Sequence, residues 1–361
     1  MMIDPYEPNF KKIGLYENSV LKKVLPNAHF KKTGYTLSGD LLLKKFDALI
    51  SSEKLFEGTQ YKFDESSSFV HFTSLPALSQ ILKSGFLRMS DFNCLSDKSE
   101  LHFASSIFSK GENKKIEEAK PNIFCLSACL SSPEILDSQH MWNHYASAGM
   151  GCAIEYKFTS TKIHNMIFGK VLYGKENLKN LRKLKKLNDA FKNEHDLEVT
   201  DLPMLLLKVS AFHKKISFKK ENEVRLLFLN DGFFSKESIH RNHYEDLYTD
   251  QQVRNFIRLP IAGKNTYVNE DTINLEKELG FSPQIEISRV IIGPNNPNPL
   301  EVAQHLKLLQ EELGIQFEIW MKKKLNCRKS FNHFFSSIQR GLFFSKKKMS
   351  TFRLINNNKN Q

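Results

Sequence analysis

The sequence lacks the features that mark membrane, secreted and metal-binding proteins. No part of its 361 residues approaches the run of roughly 18 apolar residues that a membrane span needs. The first ten residues are acidic and contain no apolar core of a secretion signal. The five cysteines are odd in number and form no CxxC pair, which argues against a disulfide framework or a zinc knuckle. We therefore expect free thiols, no metal site and a cytoplasmic protein.

Acidic residues are also absent from one end of the chain. Residues 321–361 hold eleven Lys and Arg and no Asp or Glu, so 41 basic residues face 40 acidic ones in the rest. The net charge of +12 therefore comes from this tail, while the body is nearly neutral. A polyanionic partner is expected at the tail and not over a whole folded face.

The tail has a second pattern, because its phenylalanines recur at helical spacing between two Lys triplets. Phe331, Phe334, Phe335 and Phe343 predict a basic amphipathic helix. Three interpretations stay open. The helix lies on an anionic membrane, or it tracks a nucleic-acid backbone, or its Phe face docks on the body with the lysines in solvent.

The body reads as an α+β domain. With 40% hydrophobic and 25% charged residues the chain has a globular composition. Strand and helix patterns alternate irregularly, unlike a doubly wound sheet, and no internal repeat is visible. Strands are predicted at 68–72, 86–89, 122–130, 151–158, 167–173, 221–229, 256–259, 285–292 and 315–320. Helices are predicted at 75–85, 100–108, 137–148, 175–194, 202–215 and 299–313.

This pattern divides the chain into three parts. Residues 1–60 form an N-terminal helical or irregular extension, in which Leu41, Leu42, Leu43, Phe46 and Ile50 fit one side of a short helix. Residues 61–320 form the main domain, with a Lys-rich helical insertion near 175–216. Residues 321–361 are the basic, Phe-rich tail.

A first group of polar side chains stands where a predicted strand leads into a helix. His71 at the strand end can exchange hydrogen bonds with a ligand hydroxyl, and Thr73 and Ser74 can cap the helix or offer further donors. The alternative is a packed histidine, with Ser74 acting only as the N-cap. On local pattern alone this second interpretation is favoured.

A second group is aromatic. Trp142 and Tyr145 are three residues apart, which places both rings near one side of a predicted helix. Such rings usually anchor a core, but they also stack on flat heterocycles.

A third group lies on the predicted strand 221–229. Alternation places Glu221, Glu223 and Arg225 on one face, where two carboxylates and a guanidinium are costly to bury. A structural ion pair and a functional site are both open. The strand 122–130 adds the hydroxyl of Ser127, while its thiols are expected to be core residues and not nucleophiles.

Taken in order, these segments resemble the domain-of-unknown-function 2971 family of bacterial proteins. The resemblance covers residues 68–320 and rests on FVHFTSLPALSQILKSGFLRMS, CLSDKSE, FCLSACLSS, MWNHYASAGMGCAIEY, KVLYG, KKENEVRLLF and RVIIGP. One loop departs from the family, which tends to show N-D-P-x-E there. This chain has Ser96, Asp97, Lys98, Ser99 and Glu100 instead.

The strand-end histidine, aromatic helix and strand-borne glutamate are also similar to the His, Tyr, Glu layout of ADP-ribosyltransferases. That resemblance implies a split mixed β-sheet with flanking helices that holds NAD in a cleft. It implies that His71 binds the adenosine-side ribose, that Tyr145 or Trp142 stacks on nicotinamide, and that Glu223 holds the 2′-hydroxyl of the ribose under attack. Ser127 would supply a hydroxyl in the cleft.

The remaining side chains would support these. Thr73 and Ser74 would add donors to NAD, and Arg225 or Glu221 would orient Glu223 or the acceptor nucleophile. A fixed carboxylate stabilises the positive charge that develops on the sugar as nicotinamide leaves.

The resulting hypothesis is an enzyme that consumes NAD and transfers ADP-ribose to an unknown macromolecular acceptor, with a toxin or phage-defence role suggested by association. The alternative is a non-catalytic module that binds a nucleotide, a protein or a nucleic acid.

Overall fold

The computed structural model describes most of the chain outside the tail. It describes residues 7–34, 45–50, 54–62, 67–94, 120–158, 166–195, 198–199, 202–229, 243–247, 253–262, 285–323 and 353–354, with five single positions between 103 and 118. The helices are α1 (Glu7–Tyr16), α2 (Leu75–Ser84), α3 (Pro133–Leu136), α4 (Gln139–Tyr145), α5 (Lys179–His195), α6 (Leu202–Ser210) and α7 (Pro299–Leu313). The helix predicted for the tail phenylalanines lies outside the described residues, as does most of the helix predicted at 100–108.

The strands belong mainly to one large sheet. They are β1 (Phe30–Gly34), β2 (Lys45–Ile50), β3 (Phe69–Thr73), β4 (Phe86–Asp91), β5 (Ile123–Leu130), β6 (Cys152–Phe158), β7 (Met166–Lys170), β8 (Leu172–Tyr173), β9 (Glu198–Val199), β10 (His213–Lys214), β11 (Glu223–Leu229), β12 (His243–Leu247), β13 (Val253–Pro260), β14 (Ile285–Ile292), β15 (Glu318–Met321) and β16 (Arg353–Leu354). The large sheet has the order β12-β13-β4-β5-β3-β6-β14-β15-β16, and β11 joins β5 to β7.

Most pairs in this sheet are antiparallel, and β15 pairs in parallel with β14 and β16. The predicted α+β class, with a mixed sheet and flanking helices, is confirmed.

The sheet divides at β5. One edge of β5 pairs with β11 from Ile123 to Cys129. The other edge is shared, because β3 pairs with Cys129 and Leu130 at one end while β4 pairs with Phe124 and Cys125 at the other. Strands β3 and β4 therefore separate from each other opposite residues 126–128.

The register of β3 decides which side chains lie together. Val70 is paired with Cys129, and Phe72 with Ala153, so these side chains share one face with Met141 and Trp142 of α4. We call this the α4 face.

The intervening residues of β3 point the other way. Phe69 packs with Leu78 and Leu82 of α2, and His71 is paired with Ile154 of the same apolar cluster. His71 therefore lies on this second face, which we call the α2 face.

The described part of the N-terminal segment packs against α5. Ile13, Tyr16 and Leu21 are buried together with Leu181 and Leu184 of α5. The cluster also includes Cys125 and Leu227 from the far end of the α4 face. We call this layer, formed against the sheet by the described residues between 13 and 61 and between 178 and 212, the N-terminal layer.

Two local predictions are wrong for reasons of long-range pairing. Residues 45–50, predicted as part of a helix, form β2, whose backbone pairs with β1 from Ile50 to Asp47. The helix predicted at 202–215 ends at Ser210, because the following residues turn and form β10 beside β8. Paired residues are 13 to 20 positions apart for β1 and β2 and 41 apart for β8 and β10, so the periodicity within one segment does not report either pairing.

Helix α2 begins and ends where the sequence predicts. The Ser74 hydroxyl accepts a hydrogen bond from the Ala77 backbone N–H at 3.2 Å, and Gly85 ends the helix with φ 72°. Cys94, Cys125, Cys129 and Cys152 are free thiols, as predicted. Among the helices in the described ranges, none is both long and apolar enough to cross a membrane.

We predict that Gly151→Ala destabilises the fold by about 3 kcal/mol, because an added Cβ would overlap the Thr73 carbonyl oxygen where β3 and β6 meet. The control is Gly14→Ala in α1, where nothing lies within 4 Å of the added atom. This control should leave the free energy of unfolding unchanged or raise it by up to about 1 kcal/mol. Urea denaturation measures both, and equal effects would contradict the close contact.

Candidate functional site

The two aromatic residues of α4, Trp142 and Tyr145, differ in burial. Trp142 is only 3% exposed, stacks edge-on against Phe72 at 5.1 Å, and donates its indole N–H to the Leu136 carbonyl at 2.7 Å. It is therefore a core anchor. Tyr145 at the end of the helix is 41% exposed and is the aromatic ring that a ligand can reach.

The chain leaves α4 through a strained turn. Ser147 and Ala148 have positive φ values of 49° and 55°, and Gly149 follows with 81°. Such conformations cost of order 1 kcal/mol or more each for residues other than glycine. The side-chain amides of Asn295 and Asn296 hold the turn by donating to the Ala148 and Met150 carbonyls at 2.8 Å.

The two carboxylates meet, but not in the way that strand alternation predicted. Glu221 ends a 3-10 segment, Asn222 follows with φ 44°, and Glu223 is the first residue of β11. The prediction that Glu221 lies on the strand is therefore wrong. Lys214 brings the pair together, since its Nζ is 3.0 Å from Glu221 Oε2 and 2.7 Å from Glu223 Oε2.

Arg225 completes this group. Its Nε donates to Glu223 Oε1 at 2.7 Å, and Nη1 donates to the Ala211 carbonyl at 2.5 Å. Lys214, Glu221, Glu223 and Arg225 are all buried. We call these four residues with Tyr145 the carboxylate cluster.

The charges of the cluster balance. Burial alone would raise the pKa of Glu223, but the charges of Arg225 and Lys214 outweigh it and hold that pKa at about 2. Two carboxylates thus face two cations. Both oxygens of Glu223 are occupied, because Arg225 Nη2 also lies 3.4 Å from Oε2.

Tyr145 connects the cluster to the surface. Its hydroxyl donates to Glu221 Oε1 at 2.5 Å. Burial, and then the neighbouring Glu221, raise the pKa of Tyr145 well above its ordinary value, so the phenol stays protonated and keeps donating. A buried carboxylate therefore fixes the hydroxyl end of a residue that is partly exposed to solvent.

Two imidazole groups and one ammonium group lie near this ring. The rings of His140 and His144 are 4.2 Å apart, and His140 meets Tyr145 edge-on at 6.4 Å. Burial lowers the pKa of His140, and the charges of His144 and of Lys220 lower it further, while Glu221 opposes them. We call His140, His144, Tyr145 and Lys220 the Tyr145 surface.

His71 is not part of this group. It is half-buried on the α2 face, whereas Glu223 is paired with Cys129 and lies on the α4 face. Burial lowers the pKa of His71, and the Ser127 backbone, in the region where β3 and β4 separate, opposes that shift. The structure thus brings together Tyr145, Glu221, Glu223 and Arg225, and leaves His71 apart.

The other predicted site residues have structural surroundings. Thr73 is buried at the end of β3, and Ser74 caps α2. Ser127 is paired with Arg225 across β5 and β11, and its Oγ lies 3.7 Å from Cys125 Sγ. No observation assigns these residues to NAD, so their binding roles stay predictions.

Sequence reasoning missed Lys214 and Tyr173. Lys214 lies in a stretch of lysines that reads as a solvated helix end, and only the turn after Ser210 buries it. The Tyr173 hydroxyl accepts the Glu223 backbone N–H at 2.8 Å. Neither contact has a local signal, since both depend on the pairing of β8 with β10.

We predict that Glu223 makes the fold sensitive to acid. The pKa of Glu223 is about 2 in the fold against an ordinary value of 4.5. Its contribution to stability is therefore complete above about pH 4.5 and is lost as the pH falls toward about 2. In urea titrations over that interval, the free energy of unfolding of Glu223→Gln should fall less steeply than that of the wild type.

The same variant should lose about 3 kcal/mol at pH 7, because two buried cations lose their shared anion. Glu286→Gln, at an exposed position of β14, is the control for removing one carboxylate. An identical pH dependence in Glu223→Gln and the wild type would contradict the ionised cluster.

The family comparison matches the segment that holds the carboxylate cluster. Residues 141–226 match the model of the family described as "Protein of unknown function (DUF2971)", which supports the resemblance to the domain-of-unknown-function 2971 family. Comparisons with curated proteins and with solved structures found no match. The matched segment runs from α4 into β11 and contains Tyr145, Lys214, Glu221, Glu223 and Arg225.

Proposed function

We propose that the protein is a nucleotide-binding module whose ligand docks on the Tyr145 surface. The observation that carries this proposal is the anchoring of Tyr145, a residue that is 41% exposed while its hydroxyl is held at 2.5 Å by a buried carboxylate. A ring fixed in this way loses little conformational entropy when a flat ligand stacks on it.

The groups beside the ring fit the rest of a nucleotide. Bases of any identity stack on aromatic faces, and phosphates accept hydrogen bonds from ammonium and imidazole N–H groups. Lys220 is exposed next to the cluster, and the His140 ring lies beside Tyr145 and against His144. A base on Tyr145 would place its phosphates near one ammonium group and two imidazole rings.

The carboxylates support this surface and do not react in this proposal. Glu223 is 4% exposed, and its oxygens are engaged by Arg225 and Lys214 at 2.7 Å. A carboxylate that stabilises a sugar cation needs negative charge in excess, directed at the substrate. In this cluster that charge is already neutralised.

We predict that Tyr145→Ala weakens binding of AMP, ADP-ribose or NAD roughly 5- to 150-fold, the range expected for loss of one stacked base. Tyr145→Phe keeps the ring and should retain more of the affinity. Isothermal titration calorimetry measures both. Leu308→Ala, which truncates an exposed apolar side chain on α7, is the control.

Two results would reject the binding module. One is the absence of binding to all three nucleotides by the wild type. The other is an affinity that Tyr145→Ala leaves unchanged, since the nucleotide would then bind elsewhere.

ADP-ribosyl transfer from NAD is the second candidate function. It is favoured by the meeting of Tyr145 with Glu221 and Glu223, which are 76 and more residues away in the chain. In this proposal Glu223 stabilises the ribose cation as nicotinamide leaves, and a macromolecular acceptor attacks the sugar. Such a step requires the cluster to open, so that Glu223 is freed from at least one cation.

The transferase candidate predicts release of nicotinamide from labelled NAD in the presence of cell extract. Glu223→Gln should reduce the rate at least about a hundredfold, and Glu286→Gln should not. His71→Ala adds a further distinction, because an arrangement that includes His71 predicts a loss and the observed geometry predicts little change. A wild type that binds NAD but releases no nicotinamide would reject the transferase and leave the binding module standing.

A further inference from the structure

Helix α5 presents a row of cations to solvent. Its apolar residues Leu181, Leu184 and Phe191 are buried in the N-terminal layer. On the outer side, exposed basic residues recur three and four positions apart, so that they form one contiguous row along the helix. We call this row, formed by Lys179, Arg182, Lys183 and Lys186, the α5 cationic stripe.

The stripe is not neutralised within the described part of the chain. Lys179, Arg182 and Lys186 form no ion pair there, and Lys183 donates to the Lys23 carbonyl at 3.3 Å, which adds the exposed Lys23 to the same area.

The acidic residues nearest in sequence lie at the two ends of the stripe. Glu176 precedes Lys179 by three residues and Asp189 follows Lys186 by three, and both are exposed. Four cations thus stand between two carboxylates, and the stripe keeps a net positive charge.

We propose that the α5 cationic stripe binds the phosphate backbone of a nucleic acid. Four cations within eight helical positions span about 10 Å, at about 1.5 Å per residue. Along one strand of a nucleic acid this length holds about three phosphates, at about 3.4 Å each. The row is therefore opposite in charge to a short stretch of backbone and similar to it in length.

The burial of the helix favours nucleic acid over a membrane. A helix that lies on a lipid surface inserts its apolar side between the headgroups. In α5 the apolar side is already buried within the protein, since Leu181 is 1% exposed and Leu184 is fully buried. A partner that needs only charge remains, and a phosphate backbone supplies it. The stripe lies on the N-terminal layer and does not depend on the nucleotide proposed for Tyr145.

The experiment compares two full-length variants that each lose four positive charges. The first carries Lys179→Gln, Arg182→Gln, Lys183→Gln and Lys186→Gln. The control carries Lys62→Gln, Lys83→Gln, Lys114→Gln and Lys157→Gln, all at exposed positions outside α5. Binding of a fluorescent 20-nucleotide single-stranded RNA is followed by anisotropy from 50 to 300 mM salt. Thermal unfolding confirms that both variants are folded.

We expect the stripe variant to bind at least tenfold more weakly at 100 mM salt. The slope of log affinity against log salt should become shallower by about 2, which corresponds to about three lost phosphate contacts at about 0.7 each. The control should keep the slope of the wild type, because the basic tail contributes equally to all three proteins.

Three results would overturn the proposal. The wild type fails to bind the RNA, or both variants lose the same affinity and slope, which would assign binding to net charge. In the third, RNA binding is unchanged while the stripe variant selectively loses sedimentation with vesicles containing anionic lipid, which would assign the stripe to membranes.

Discussion

The fold around the candidate site depends on burying two carboxylates against two cations. Removing such groups from water costs several kcal/mol each unless they are paired and hydrogen-bonded. Lys214 reaches Glu221 and Glu223 only because α6 ends at Ser210 and the chain turns into β10. Arg225 reinforces that same turn, since it binds both Glu223 and the Ala211 carbonyl. Tyr145 then attaches α4 to Glu221. The position of one helix, one turn and one strand is thus specified by a single network, in which the loss of any charged member unbalances the buried charges.

This network also limits the chemistry of the site. Two anions and two cations at hydrogen-bonding distance largely cancel one another's electrostatic field at a bound substrate. The cluster therefore influences a ligand mainly by positioning the Tyr145 ring. The strained turn after Tyr145 has a related effect. Because Asn295 and Asn296 fix the Ala148 and Met150 carbonyls, the loop after β14 also braces the chain that leaves α4. A rigid, solvent-facing aromatic ring beside imidazole and ammonium groups favours binding. Transferase chemistry would need Lys214 or Arg225 to release Glu223 first.

The sequence was sufficient where local signals determine structure. The bounds of β14 and α7 agree with the predicted 285–292 and 299–313, because a Gly-Pro turn and Pro299 separate them. Helix α2 agrees because Ser74 and Gly85 provide its caps.

The sequence was insufficient where pairing with another segment decides the secondary structure or the burial of a residue. Residues 45–50 became a strand through β1, and Lys214 was buried through β8. For the site, periodicity found Tyr145, Glu223 and Arg225, but it could not assign faces across strands whose register was unknown.

The separation of His71 from Glu223 follows from the register of β3, which the packing on both faces of the sheet fixes. Successive side chains of a strand alternate, so His71 would reach the face of Glu223 only if β3 slipped by one residue. The slip would move Val70 and Phe72 to the α2 face and leave Trp142 without the ring that it packs against at 5.1 Å. It would also bring Phe69 out of the aromatic group with Tyr156, Phe158 and Phe168. Both sides of the sheet therefore oppose the shift. A function that needs His71 and Glu223 on one ligand would have to bind it through the division between β3 and β4, where the His71 ring already meets the Ser127 backbone.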